Sequence, residues 1–156
     1  MQGDPSVLAT LNALFALEVS VFEITHAYEH VMERKRYKRL QKWFDCEVDQ
    51  SRDRRRYLTD RVFALDGALN LTVPPAVIDP NQKTESYLSA TLSLLTSLLD
   101  AYQSGYESVE AAGDSVTADA LCGFLSTIQN TIGKLESFLG QIQELGLSAF
   151  LSQKIK

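Results

Sequence analysis

Residues 43–65 read WFDCEVDQSRDRRRYLTDRVFAL and carry the pattern that decides the fold. Inward-facing candidates recur at steps of three and four residues, which is the spacing of one face of an α-helix. The members of this face are Phe44, Glu47, Ser51, Arg54, Leu58, Val62 and Leu65. Ser51 and Arg54, at its middle, are polar where the inner face of a core helix is normally apolar. The pattern therefore predicts a long helix that carries a polar pair into a protein core.

The composition of the 156-residue chain is that of a globular protein, since 45% of the residues are apolar and 22% are charged. The net charge of -5, without a sustained basic face, argues against nucleic acid as a partner. A basic cluster does occur at residues 34–42. We interpret it as a solvated turn, and a docking patch for an acidic partner is the alternative.

The first residues, MQGDPS, contain no basic segment leading into an apolar one, so no signal peptide is predicted. No run of residues approaches membrane-spanning length by this interpretation, and we expect no membrane partner and a cytoplasmic location. Cys46 and Cys122 lack the spacing of a metal or redox motif. They are predicted to be buried thiols and not a disulfide or a zinc site.

Periodicity and helix-end signals predict four long helices, at about residues 5–34, 37–65, 84–112 and 116–145. Asp4 and Pro5 suit the start of the first helix. Residues 66–82 contain three of the four prolines, show no helical period and are predicted to be an extended connection. A short amphipathic segment at residues 147–155 predicts a fifth helix.

A connection as long as residues 66–82 suits a crossover that runs along a bundle, and its position between the second and third helices favours a ferritin-like arrangement. The predicted fold is therefore all-α: a ferritin-like four-helix bundle with a short fifth helix, in a single domain spanning residues 1–156. The inner face of the first helix includes Glu18. A buried carboxylate is costly unless it is paired or metal-bound, so Glu18 needs a partner.

Four stretches of this chain resemble the bacterioferritin family in order and spacing. They are MQGD (1–4), YKRLQ (37–41), RYLTDRVFALDG (56–67) and IQELGLSAFLSQKI (142–155). The resemblance covers essentially the whole chain and is strongest at helix ends. It implies a subunit of the multi-subunit iron-storage cage that this family forms.

The family's di-iron ferroxidase centre takes a Glu from each of two helices and a Glu-x-x-His motif from each of the other two. The resemblance places these six ligands at Glu18, Ser51, Arg54, Leu94, Ile128 and Thr131. Only Glu18 retains the family's residue type, so the resemblance implies that the ferroxidase centre is lost and that the chain is not an enzyme. The family's iron relay, a His and an Asp, falls at Cys46 and Gln50.

The methionine that holds haem between paired subunits of the family corresponds to Arg52. We therefore expect no haem at this position, although a contact through another residue stays open. Ferric mineral inside a cage also remains possible. It could bind the acids of the second helix, for which ordinary solubility charge is the alternative. These acids are Asp45, Glu47, Asp49 and Asp53.

Arg54 is permanently cationic and lies at the height of Glu18, so we hypothesise that it supplies the positive charge that metals supply in the family. The predicted function is a structural or regulatory shell subunit, in a homo- or hetero-oligomer with ferritin-like subunits that include a ferroxidase-competent paralogue. One alternative is a repurposed bundle that acts as a binding or assembly module outside iron storage.

A second alternative is a ferroxidase with relocated ligands, drawn from His26, His30 or the acids between Asp45 and Asp53. His26 and His30 are four residues apart, so both imidazoles lie on one helix face and could bind a divalent metal. A solvated helix surface is the ordinary interpretation of this pair, because the sequence fixes no third ligand.

Overall fold

The computed structural model describes residues 3–72 and 75–153, and its described part is built from helices. The helices are α1 (Pro5–Arg34), α2 (Lys38–Ala64), α3 (Thr84–Ala111), α4 (Ser115–Leu145) and α5 (Leu147–Ser152). The predicted fold class is confirmed: four long helices, a long connection between α2 and α3, and a short α5. The predicted end of α5 at residue 155 lies outside the described residues.

The helix ends follow from local chemistry. Asp4 accepts a hydrogen bond from the Ser6 backbone N–H at 2.7 Å, and Pro5 occupies the first turn of α1. Gly113 takes a φ of 83°, a left-handed conformation that ends α3 at little steric cost. Such signals fix where a helix begins or ends. They therefore also fix the height at which its inward residues meet those of the neighbouring helices.

The long helices pack as two pairs, α1 with α2 and α3 with α4, and α1 also contacts α3. One continuous apolar core runs through the bundle. Aromatic rings fill the end of the bundle where α5 lies: Trp43 stacks edge-on against Phe138, and Phe138 contacts the buried Phe150 with ring centroids 5.4 Å apart. The short α5 thus closes the core with a single aromatic side chain.

Helix α1 corrects one expectation from the sequence. Its most apolar window has a mean hydropathy of 1.7, so by length and composition α1 is long and apolar enough to cross a membrane. The prediction that no run approaches membrane-spanning length was therefore wrong. In this fold the apolar face of α1 packs against α2 and α3, and the polar Glu18 lies on that buried face.

The cysteines correct a second expectation, because Cys46 and Cys122 are both exposed. On α2 the core positions are Phe44 and Glu47, so the helical period turns Cys46 outward. On α4 the core position is Leu121, and the next residue points away from it. The prediction of two buried thiols was wrong because isolated cysteines were assigned by residue type and not by helical phase.

A polar clamp joins the end of α2 to the start of α4. Arg61 donates from Nε to the Thr117 hydroxyl at 2.8 Å and from Nη2 to both oxygens of Asp114 at 3.1 and 3.2 Å. Asp114 also caps α4, since it accepts the Thr117 backbone N–H at 3.0 Å. One carboxylate therefore serves both a helix end and an interhelical ion pair.

We expect Asp114→Ala to lower the free energy of unfolding by about 1–2 kcal/mol, because α4 loses its cap and Arg61 loses its partner. Urea denaturation followed by circular dichroism measures this loss. The matched control is Asp4→Ala, which removes a helix cap that has no arginine partner and should cost less. Equal losses in the two variants would show that the Arg61 pair adds nothing.

Candidate functional site: a buried carboxylate between three helices

The Glu18 carboxylate lies fully buried at the middle of the bundle. Its Oε1 atom accepts hydrogen bonds from the Arg54 Nε and, at 2.8 Å, from the Tyr102 hydroxyl. Its Oε2 atom accepts from the Ser51 hydroxyl at 2.7 Å and from the Arg54 Nη2 at 3.3 Å. A carboxylate offers about four acceptor positions, so donors from α2 and α3 occupy its whole capacity.

Arg54 provides the charge that balances Glu18. Its side chain is only 3% exposed and donates hydrogen bonds to the carboxylate from two nitrogens. Burial acts to lower the pKa of Arg54, but the adjacent Glu18 charge and its hydrogen bonds outweigh burial and raise that pKa. The contact between Arg54 and Glu18 that the sequence predicted is therefore present, and the guanidinium in it stays charged.

Tyr102 is a member of the site that sequence reasoning missed. It lies on the inward face of α3, and its buried hydroxyl donates to Glu18. Burial, and then the Glu18 charge, raise the pKa of Tyr102 well above its ordinary value, which keeps the phenol protonated as a donor. The available signal is a tyrosine at an inward position that follows a run of leucines, because a buried phenol needs a polar partner.

The remaining positions of the expected six-ligand set are apolar or hydroxylic. Ile128 and Thr131 are buried on α4 with exposures of 1% and 6%. Leu94 on α3 is only partly buried against the core, whereas its neighbour Leu95 is 1% exposed. The inward face of α3 therefore passes through Leu95 and not through Leu94.

Arg52, the position expected to correspond to the haem methionine, lies outside the core. Its side chain is 60% exposed and donates to Asp49 at 2.8 Å, one turn earlier on α2. The guanidinium also rests 5.5 Å from the centre of the Phe22 ring. The structure thus brings Glu18, Ser51 and Arg54 together and leaves Arg52 on the surface.

The residues around Glu18 do not fit a pair of iron ions. Iron sites of this type use several carboxylates together with imidazole nitrogen. Here two hydroxyls and a guanidinium engage all acceptor positions of the Glu18 carboxylate. A metal cation would have to displace Arg54, whose charge cannot be removed by deprotonation.

Glu47 is a second buried carboxylate, one turn before Ser51 on α2. Burial raises its pKa to about 7, although the charges of Arg54 and Lys134 and a hydrogen bond with Thr131 partly offset that rise. The other three acids expected on α2 are exposed. Glu47 is thus partly protonated near neutral pH, unlike an ordinary surface acid.

Glu47 lines a cavity of about 640 Å³ between α2 and α4. Its lining residues are Arg39, Lys42, Trp43, Cys46, Glu47, Gln50, Thr127, Asn130, Thr131 and Lys134. Cys46 and Gln50, the positions at which the sequence resemblance places the family's iron relay, therefore line a space bordered by three cationic side chains. This lining favours anions over metal cations.

Arg54→Leu is expected to lower the free energy of unfolding by roughly 3–5 kcal/mol, because it leaves the Glu18 charge buried without a counter-charge. The loss is measured by chemical denaturation at fixed protein concentration. The control is the double variant Glu18→Gln/Arg54→Leu, which removes both charges and keeps one amide oxygen that can accept from the Ser51 or the Tyr102 hydroxyl. It should recover most of the loss, and additive losses would contradict charge pairing as the cause.

Glu47 predicts a pH dependence of stability. Its folded pKa of about 7 exceeds the ordinary value of 4.5, so the contribution is complete below pH 4.5 and is lost as pH rises through 7. The loss is about 3 kcal/mol at most. We expect Glu47→Gln to unfold at higher urea than the parent at pH 8 and at similar urea at pH 5. Glu136→Gln, on the exposed face of α4, should show no such difference between the two pH values.

The comparisons with known proteins agree with this architecture. A family model for the ferritin-like domain matches residues 8–145, which include every residue of the Glu18 site. A bacterioferritin of Streptomyces coelicolor is 28% identical over 156 residues, which cover 100% of this chain and 93% of that protein. The chain therefore belongs to the ferritin-like family and resembles bacterioferritin over its whole length.

Proposed function

We propose that this protein is a non-catalytic subunit of an iron-storage cage. It would give the shell structure or regulation, beside a ferritin-like chain with an intact ferroxidase centre. The family assignment and the full-length similarity to a bacterioferritin support the iron-storage-type subunit. The observation that carries the non-catalytic part is the engagement of Glu18 by Arg54, Ser51 and Tyr102.

The chemical reason lies in what Arg54 can and cannot do. A guanidinium neutralises a buried carboxylate as a metal ion would, and it holds that carboxylate in a fixed geometry. It cannot exchange electrons, whereas iron oxidation requires a metal that passes electrons to an oxidant. Because Arg54 neutralises the buried charge of Glu18, the bundle keeps its shape without metal. This property suits a subunit whose role is assembly.

The cavity between α2 and α4 supports the same proposal. Lys42 and Lys134 border the space beside the positions that correspond to the family's iron relay. Two ammonium groups raise the energy of a ferrous ion in that space. Iron delivery through this subunit is therefore disfavoured at the relay as well as at the centre itself.

The proposal extends to haem, mineral and location. The Arg52 guanidinium offers no lone pair to haem iron, so we propose that no haem binds at this position. Ferric mineral would form after oxidation by the ferroxidase-competent partner, with exposed acids such as Asp45 and Asp53 available to it. A cytoplasmic location is part of the proposal.

The first test is ferrous oxidation by the isolated full chain in air, followed by stopped-flow absorbance and oxygen consumption. An intact bacterioferritin serves as the positive control. We expect ferrous iron to be oxidised no faster with this chain than in buffer alone, because no two-iron site forms around Glu18. Catalysed oxidation would overturn the proposal and favour the alternative with relocated ligands.

The second test is native mass spectrometry of the particle purified from its own host, with metal and haem measured on the same sample. A large shell that contains this chain and a second ferritin-like chain is the expected result. A metal-free monomer or dimer would contradict a storage role and favour a repurposed binding or assembly module.

A further inference from the structure

The two histidines of the chain, His26 and His30, lie one turn apart on α1. Their Nε2 atoms are 3.3 Å apart. The rings meet edge to face, with centroids separated by 4.8 Å and planes inclined by 71°. Both imidazoles therefore direct the same nitrogen toward one point beside the helix.

Each ring is held by a neighbour. The Glu33 carboxylate lies 3.2 Å from the His30 Nδ1, where it accepts an N–H and leaves the His30 Nε2 lone pair directed at His26. The Phe22 ring packs against the His26 ring with centroids 5.8 Å apart. A carboxylate that orients a histidine through its second nitrogen is the usual outer partner of a histidine metal ligand.

The distance between the rings matches a metal site. Two imidazole nitrogens bound to one tetrahedral zinc ion, each at 2.0–2.1 Å, are separated by about 3.3–3.4 Å. One ligand atom from each of His26, Glu29 and His30 also lies within 4.8 Å of the others. Two nitrogens and one carboxylate oxygen thus converge, and the sequence alone had fixed no third ligand.

We propose that His26, His30 and Glu29 bind a divalent transition-metal ion of the zinc or copper type. Imidazole donors favour these ions over magnesium and calcium, which prefer sites made of oxygen alone. The His30 side chain is 60% exposed, so water can enter and complete the coordination. Glu33 acts as a positioning residue that fixes the His30 tautomer.

This site is separate from the Glu18 centre and does not depend on the proposed function. His26 lies eight residues after Glu18, which is about 12 Å along α1. Two arginines of α2, Arg52 and Arg55, contact the Phe22 ring on this face, and Arg52 is also paired with Asp49. A test of this site is therefore independent of whether the protein stores iron.

The main test is zinc binding by isothermal titration calorimetry on the full chain, purified without a histidine tag. Cys46→Ser/Cys122→Ser provides the background, because both exposed thiols could bind zinc. We expect one zinc ion per chain. His30→Gln should weaken binding more than about 100-fold, and Glu33→Gln about 10-fold, since outer partners typically contribute 10–100-fold.

Asp100→Asn, at an exposed acid of α3, is the charge-matched control and should leave zinc affinity unchanged. Since the chain has two histidines, a nitrogen-15 spectrum of its imidazoles reports on this pair alone. Stoichiometric zinc should shift both Nε2 resonances together. Zinc affinity that is unchanged in His26→Gln/His30→Gln, or imidazole resonances that zinc does not move, would refute the site and leave a hydrogen-bonded pair of rings.

Discussion

Glu18 carries a negative charge into the interior of the bundle, and the neutralisation of that charge is the constraint on which the arrangement of α1, α2 and α3 depends. Arg54 must meet the carboxylate through two nitrogens, while Ser51 and Tyr102 complete its acceptors. A shift of α1 by a single turn, about 5.4 Å, would break all of these contacts at once, and a shift of α2 or α3 would break the contacts that this helix supplies. The carboxylate thus fixes the relative heights of three helices.

A buried ion pair adds little to the free energy of unfolding of a bundle, because an apolar core of the same volume is often as stable. What the pair adds is a penalty against wrong helix registers, in which a charge would stay buried without its partner. Glu47 shows the cost of a further acid beside the same network. Burial drives Glu47 toward its neutral form, although Arg54 and Lys134 offset part of this effect, as its raised pKa indicates.

Helix positions and the contact between Glu18 and Arg54 could be predicted, because caps such as Asp4 and a repeat of three or four residues fix both height and face. Details that depend on which of two adjacent residues of a helix points inward could not be predicted. One residue on an α-helix is a rotation of about 100°, which separates the partly exposed Leu94 from the buried Leu95. The role of Tyr102 also stayed hidden, since periodicity reports which face a residue occupies and says nothing of where its hydroxyl points.

The two polar clusters of α1 are proposed to differ in their affinity for metal ions, and the proposed difference follows from the groups that surround each cluster. At Glu18 the cation is a guanidinium, which stays protonated at any physiological pH, so a metal must break the ion pair before it can bind. At the proposed site the ligands are two imidazole nitrogens and the Glu29 carboxylate, and no permanently charged arginine has to be displaced before a metal binds. Metal affinity in this chain is therefore expected on the hydrated face of α1 and not in the bundle core.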